Sequence, residues 1–99
     1  MAEKITNLIK GGSDSKIKSM HVSLNNGILT TDGLGDAELS NITANMTPFF
    51  YVADSGTLDA FYTVFRSTSN NKWYVHLSNF ADGRPVTGSN LAGTVYYME

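Results

Sequence analysis

The chain has no cysteine, two prolines and few charges, and each shortage closes off a class of protein. Without a thiol there is no disulfide framework, no cysteine nucleophile and no cysteine-ligated zinc, so the fold must hold by burial alone. Only 16% of the residues are charged, against roughly 25% in an average soluble chain. No Lys or Arg occurs between Lys18 and Arg66, a stretch that carries Asp32, Asp36, Glu38, Asp54 and Asp59. Binding to a nucleic acid needs a basic stripe that releases counterions from phosphates, and Arg66, Lys72 and Arg84 are too few and too scattered to make one. No apolar run approaches the ~18 residues of a membrane span, and Met1, Ala2, Glu3 and Lys4 lead into no apolar signal segment. The expectation is a soluble protein made in the cytoplasm, with neither nucleic acid nor membrane as partner.

Catalytic constellations are missing as well. The two histidines, His21 and His76, fall in different candidate strands, and no G-x-S-x-G elbow accompanies them. No His pair has metal-ligand spacing. Gly11-Gly12-Ser13 lacks the Lys-Ser/Thr of a phosphate loop, and Asp32-Gly33-Leu34-Gly35 does not meet the dinucleotide spacing. The acidic loop Asp32, Asp36 and Glu38 is a weak calcium candidate that does not fit an EF-hand register. Asp54 and Asp59 flank an ordinary turn with nothing nearby to raise a carboxyl pKa. Asn41-Ile42-Thr43 and Asn45-Met46-Thr47 match the glycosylation acceptor pattern, which reads as chance in a chain rich in Asn and Thr. The protein is expected to be no enzyme and to need no cofactor.

What is present is the length of one domain, 99 residues, with 41% apolar residues and a surface of Ser, Thr, Asn and Gly. Ile5, Leu8 and Ile9 stand at i, i+3 and i+4, the stripe of a short amphipathic helix or docking arm, accompanied by Lys4 and Lys10. Gly11-Gly12-Ser13-Asp14-Ser15 then forms a hinge, which divides an arm of residues 1–15 from a β domain of residues 16–99. Residues 16–24 alternate with period two, and Asn25-Asn26-Gly27 before Ile28 signals a type I′ hairpin. Residues 32–36 make a second tight loop, and residues 37–42 read equally as a helical turn or a short strand. Pro48 stops what precedes it. Four segments rich in aromatic and β-branched residues follow, at 49–53, 58–66, 72–78 and 94–98. The turns at 54–56 and 67–71 are short enough to close hairpins, while residues 80–93 form a longer connection. The fold class is all-β: a small antiparallel sandwich or barrel with Greek-key or meander connections behind a short N-terminal arm or helix.

Each of the four segments carries adjacent aromatics: Phe49-Phe50-Tyr51, Phe61-Tyr62, Trp73-Tyr74 and Tyr96-Tyr97. Neighbours on a strand point to opposite faces, so each doublet puts a ring on both sides of a sheet. A domain this small has too little material to cover both sides, with the first 45 residues available for one of them. Phe50, Tyr62, Tyr74 and Tyr96, with Ile5, Leu8 and Ile9 of the arm, are the candidate interface residues. A second reading takes Trp73 and Tyr74, flanked by Asn and Asp, as a platform for a sugar ring. A third is a small inhibitor that occupies a host protein through the acidic middle.

In composition the whole length resembles the small all-β structural proteins of tailed bacteriophages: cysteine-free, a lysine-containing lead at residues 1–10, a Gly-Ser break, then Thr/Asn/Gly-rich strands with aromatic doublets running to Thr94-Val95-Tyr96-Tyr97-Met98-Glu99. The resemblance implies a virion component of the decoration, head-fibre or tail-associated type. Such a protein would act as a homo-oligomer, a trimer among the options, or dock on a capsid or tail.

Overall fold

A computed structural model describes residues 16–54 and 60–99. Seven strands follow in order: β1 (Ile17–Leu24), β2 (Gly27–Ile28), β3 (Asp36–Glu38), β4 (Thr47–Ala53), β5 (Ala60–Arg66), β6 (Trp73–Asn79) and β7 (Gly93–Met98). They form a four-stranded sheet in the order β2-β1-β7-β4 and a three-stranded sheet in the order β3-β6-β5. The architecture is all-β, as expected for a small sandwich. The last strand is inserted between the first and the fourth, antiparallel to both, which excludes a simple meander. Among the described residues no helix is long and apolar enough to cross a membrane. The arm read at residues 1–15, with Ile5, Leu8 and Ile9, lies outside the described residues.

Period-two alternation builds the core. Val22 of β1, Ile28 of β2, Ala37 of β3, Tyr51 of β4, Val75 and Leu77 of β6, and Val95 of β7 converge between the sheets, joined by Leu39 and Leu91 from the connections. Each fully buried aliphatic side chain contributes about 1.5–3 kcal/mol over leaving it in water. Along one side the sheets are stitched by backbone hydrogen bonds, Leu29 N–H to the Glu38 carbonyl and Ser40 N–H to the Gly27 carbonyl, both at 3.0 Å. Along the other side β4 and β5 end their sheets, and the Tyr51 and Tyr62 rings meet with centroids 5.3 Å apart.

Three local expectations are corrected. The turn after β1 closes two residues early: Asn26 N–H reaches the Ser23 carbonyl at 2.8 Å with Asn25 at φ 60°, so Leu24-Asn25 and not Asn26-Gly27 is the centre. Gly27 instead allows close approach, since a Cβ there would stand 2.8 Å from both Val22 Cγ1 and Asn41 Nδ2. Pro48 does not stop a segment but sits inside β4, tolerated because β4 is an edge strand. Finally, β4 and β5 do not form a hairpin across 54–56, because they belong to different sheets. The turn at 67–71 does close a hairpin, with Arg66 opposite Trp73 and Asn71 at φ 60°. Of the undecided stretch 37–42, residues 37 and 38 belong to strand β3, which starts at Asp36.

Candidate functional site: two aromatic faces and an end cleft

Strand parity splits Phe50 from Tyr51, Phe61 from Tyr62 and Trp73 from Tyr74, and the four doublet strands are shared between the two sheets rather than gathered in one. Tyr51, Tyr62 and Trp73 turn inward, while Phe50, Phe61 and Tyr74 turn outward. Two outer faces result. On the four-stranded sheet, register places Tyr96 between Ser19 and Phe50, and Thr94 between His21 and Val52. The Phe50 and Tyr96 rings tilt against each other at 6.1 Å. Phe50 is 56% exposed, and Phe49, Val52 and Met98 stand open to solvent as well. Phe49 falls at the register irregularity between Pro48 and Phe50 and is itself exposed. At one end of this face His21 Nε2 and Asp54 Oδ2 are 2.7 Å apart, while Lys18 and Glu99, paired at 2.6 Å, have the opposite strand parity. The hydrogen bond and attraction from Glu99 hold the Lys18 ammonium above its ordinary pKa.

The outer face of the three-stranded sheet is finished differently. Phe65 stacks on Tyr74 at 5.5 Å, and Phe61 packs on Phe80 at 4.9 Å. Between these pairs runs a polar row in which His76 stands opposite Asp36 on one side and Thr63 on the other. His76 Nδ1 and Asp36 Oδ1 are 2.7 Å apart, and Asn70 Nδ2 donates to Tyr74 Oη at 2.7 Å. Neither histidine has a partner nearby in the chain, yet both meet a carboxylate in the fold. No local signal marks these pairs, because each needs a register or a loop position set by the whole fold.

The calcium reading of Asp32, Asp36 and Glu38 fails on the same geometry. Asp32 Oδ1 accepts the N–H groups of Leu34 and Asp36 at 2.8 and 3.1 Å, Asp36 is taken by His76, and Glu38 faces Lys72 at 3.6 Å. Among the described residues no group of three or more His, Cys, Asp or Glu could hold a metal ion. The tight loop at 32–36 is built by its backbone: Gly35 takes φ 78°, and a Cβ there would lie 2.7 Å from the Leu77 carbonyl.

The sugar platform of Trp73 and Tyr74 is also corrected, since the two rings lie on opposite sides of β6 and cannot share a surface. Trp73 instead lines a cleft of about 700 Å³ at one end of the sandwich. One wall is the connection from β3 to β4, with Ile42, Thr43 and Met46. The other is the β5–β6 hairpin, with Arg66, Asn71 and Lys72. Sequence reasoning missed this cleft because its walls are some twenty residues apart in the chain. Of the candidate interface residues, the fold brings Phe50 and Tyr96 together, puts Tyr74 on the opposite outer face, and turns Tyr62 into the core.

No protein-family model, curated protein or solved structure matches the chain at a significant level, so its geometry alone carries the functional reading.

Proposed function

We propose that this chain is a non-enzymatic assembly protein that pairs with a second copy of itself through the outer face of its four-stranded sheet. The observation that supports this is the apolar surface of Phe50, Val52, Tyr96 and Met98, which strand register sets side by side, with the exposed Phe49 next to Phe50 in the chain. Half-exposed side chains of this size leave about 400–600 Å² of apolar area on one face, at or above the largest patch of an ordinary monomer. Two such faces together approach the ~1,200 Å² at which stable interfaces begin. A self-pairing also suits the charges. The His21–Asp54 contact lies at one end of this face, so it leaves the apolar centre open to a partner. The Lys16 carbonyl accepts the Glu99 N–H at 3.2 Å, next to Met98 at the end of the same sheet. A larger array of the same contacts is the arrangement a virion component would use, and placement in a virion belongs to the same proposal.

Light scattering across a concentration series tests it. The wild-type chain should grow from monomer to dimer or beyond, and Phe50→Asp should stay monomeric with an unchanged β-sheet spectrum. A wild-type chain that remains monomeric at millimolar concentration removes the reading.

A further inference from the structure

The end cleft belongs to neither outer face, and its chemistry points to a ligand of its own. Its floor is apolar: Trp73 is half-buried against the core, and Met46 beside it is buried. Its mouth is cationic. Arg66 and Lys72 stand there with Glu38 as the single carboxylate, a local excess of positive charge in a chain whose net charge is −2. The cations are not equally engaged. Lys72 faces Glu38 at 3.6 Å, whereas Arg66 has no carboxylate partner among the described residues. Its Nη2 donates to Asn71 Oδ1 at 3.0 Å. Asn71 is itself fixed in a left-handed turn, with its N–H on the Ser67 carbonyl at 2.8 Å. The guanidinium is thus held directly across the strand pair from Trp73, with most of its five N–H donors unspent.

We propose that this cleft binds a carboxylated sugar. A pyranose offers an apolar ring face for the indole and hydroxyls for Asn71 and Glu38. A ring carboxylate suits the fork of Arg66, which matches carboxylate geometry where a lysine supplies only a point charge. The volume of about 700 Å³ falls in the range of small-ligand clefts and admits more than one ring. Glu38 at the mouth disfavours a phosphate, whose double charge it would repel, more than a single carboxylate neighboured by hydroxyls.

The chain contains one tryptophan, so its emission reports on this cleft alone. Trigalacturonic acid and sialyllactose are titrated against the full chain, beside neutral galactotriose and lactose and a Glu-rich peptide. At least one acidic sugar should shift the emission saturably, with an affinity about tenfold or more above its neutral counterpart, as expected for loss of a charge-assisted hydrogen-bond pair. Arg66→Gln should remove that preference while leaving the thermal unfolding midpoint in place, and Arg66→Lys should restore only part of it. Equal binding of neutral and acidic sugars, stronger binding of the peptide, or no emission change with either acidic sugar each overturns the proposal. None of these outcomes depends on self-association, which Phe50→Asp switches off separately.

Discussion

The two outer faces start from the same sequence device and end in different states. Both are built where doublet strands turn one ring outward. On the three-stranded sheet the rings are paired off, Phe65 with Tyr74 and Phe61 with Phe80, and a His76–Asp36 contact runs between the pairs. On the four-stranded sheet the Phe50–Tyr96 pair lies in an apolar field with Val52, and the His21–Asp54 contact sits at the end of the face. A face whose ring pairs are separated by a His–Asp row can remain in water. A face left apolar at its centre gains most by meeting another surface. The comparison teaches that counting exposed aromatics does not identify an interface; what stands between them does.

The largest effect that bears on this comparison separates inside from outside within one doublet. Tyr62→Asp places a carboxylate against Tyr51 in the core and should cost at least several kcal/mol, enough to unfold a domain whose total stability is of order 5–15 kcal/mol. Phe61→Asp, one residue away and more than half exposed, should leave a cooperative melt. If circular dichroism shows both variants unfolded, the division of the doublets between core and surface is wrong.

A smaller effect sharpens the contrast between the faces. His76→Ala strips the partner from Asp36, whose side chain is only 16% exposed, and should cost about 1–2 kcal/mol in denaturant unfolding. His21→Ala breaks a pair exposed on both sides and should cost about 0–0.5 kcal/mol. Equal midpoints for the two variants would show that the polar row does not finish its face as described.

Between the sheets, Tyr51 provides a test of opposite sign. Its hydroxyl is buried with no hydrogen-bond partner, and the ring lies so close to Gly93 that a Cβ there would stand 2.7 Å from the phenolic oxygen. Tyr51→Phe should therefore stabilise the domain by about 1 kcal/mol, while a loss of similar size would reveal a bond to the hydroxyl. Burial pushes the Tyr51 pKa up to about 12. Because the folded state holds this proton more tightly than the unfolded chain, the stabilisation is complete below pH ~10 and lost as pH rises toward 12. Alkaline melts should show that loss in the wild type, and Tyr51→Phe should diminish it.

The alternation of the strands was legible because strand parity is local: Phe50 against Tyr51, Phe61 against Tyr62 and Trp73 against Tyr74 need no knowledge of neighbours. The partition of those strands was not, since placing β7 between β1 and β4 depends on contacts some eighty residues apart in the chain. Asn25-Asn26-Gly27 announced a turn but not its centre, because the need of Gly27 to approach Val22 and Asn41 outweighs the usual Asn-Gly preference. The cleft and the His76–Asp36 pair were invisible for the same reason as the strand order. Residue spacing along the chain carries no record of which loops meet at an end of the sandwich.

Sedimentation velocity on Phe50→Asp and Phe61→Asp, run beside the wild type over one concentration range, tests the central claim most directly. The account predicts that the wild type and Phe61→Asp associate alike while Phe50→Asp sediments as a monomer throughout. Association abolished by Phe61→Asp and retained by Phe50→Asp would place the contact on the other sheet and contradict it.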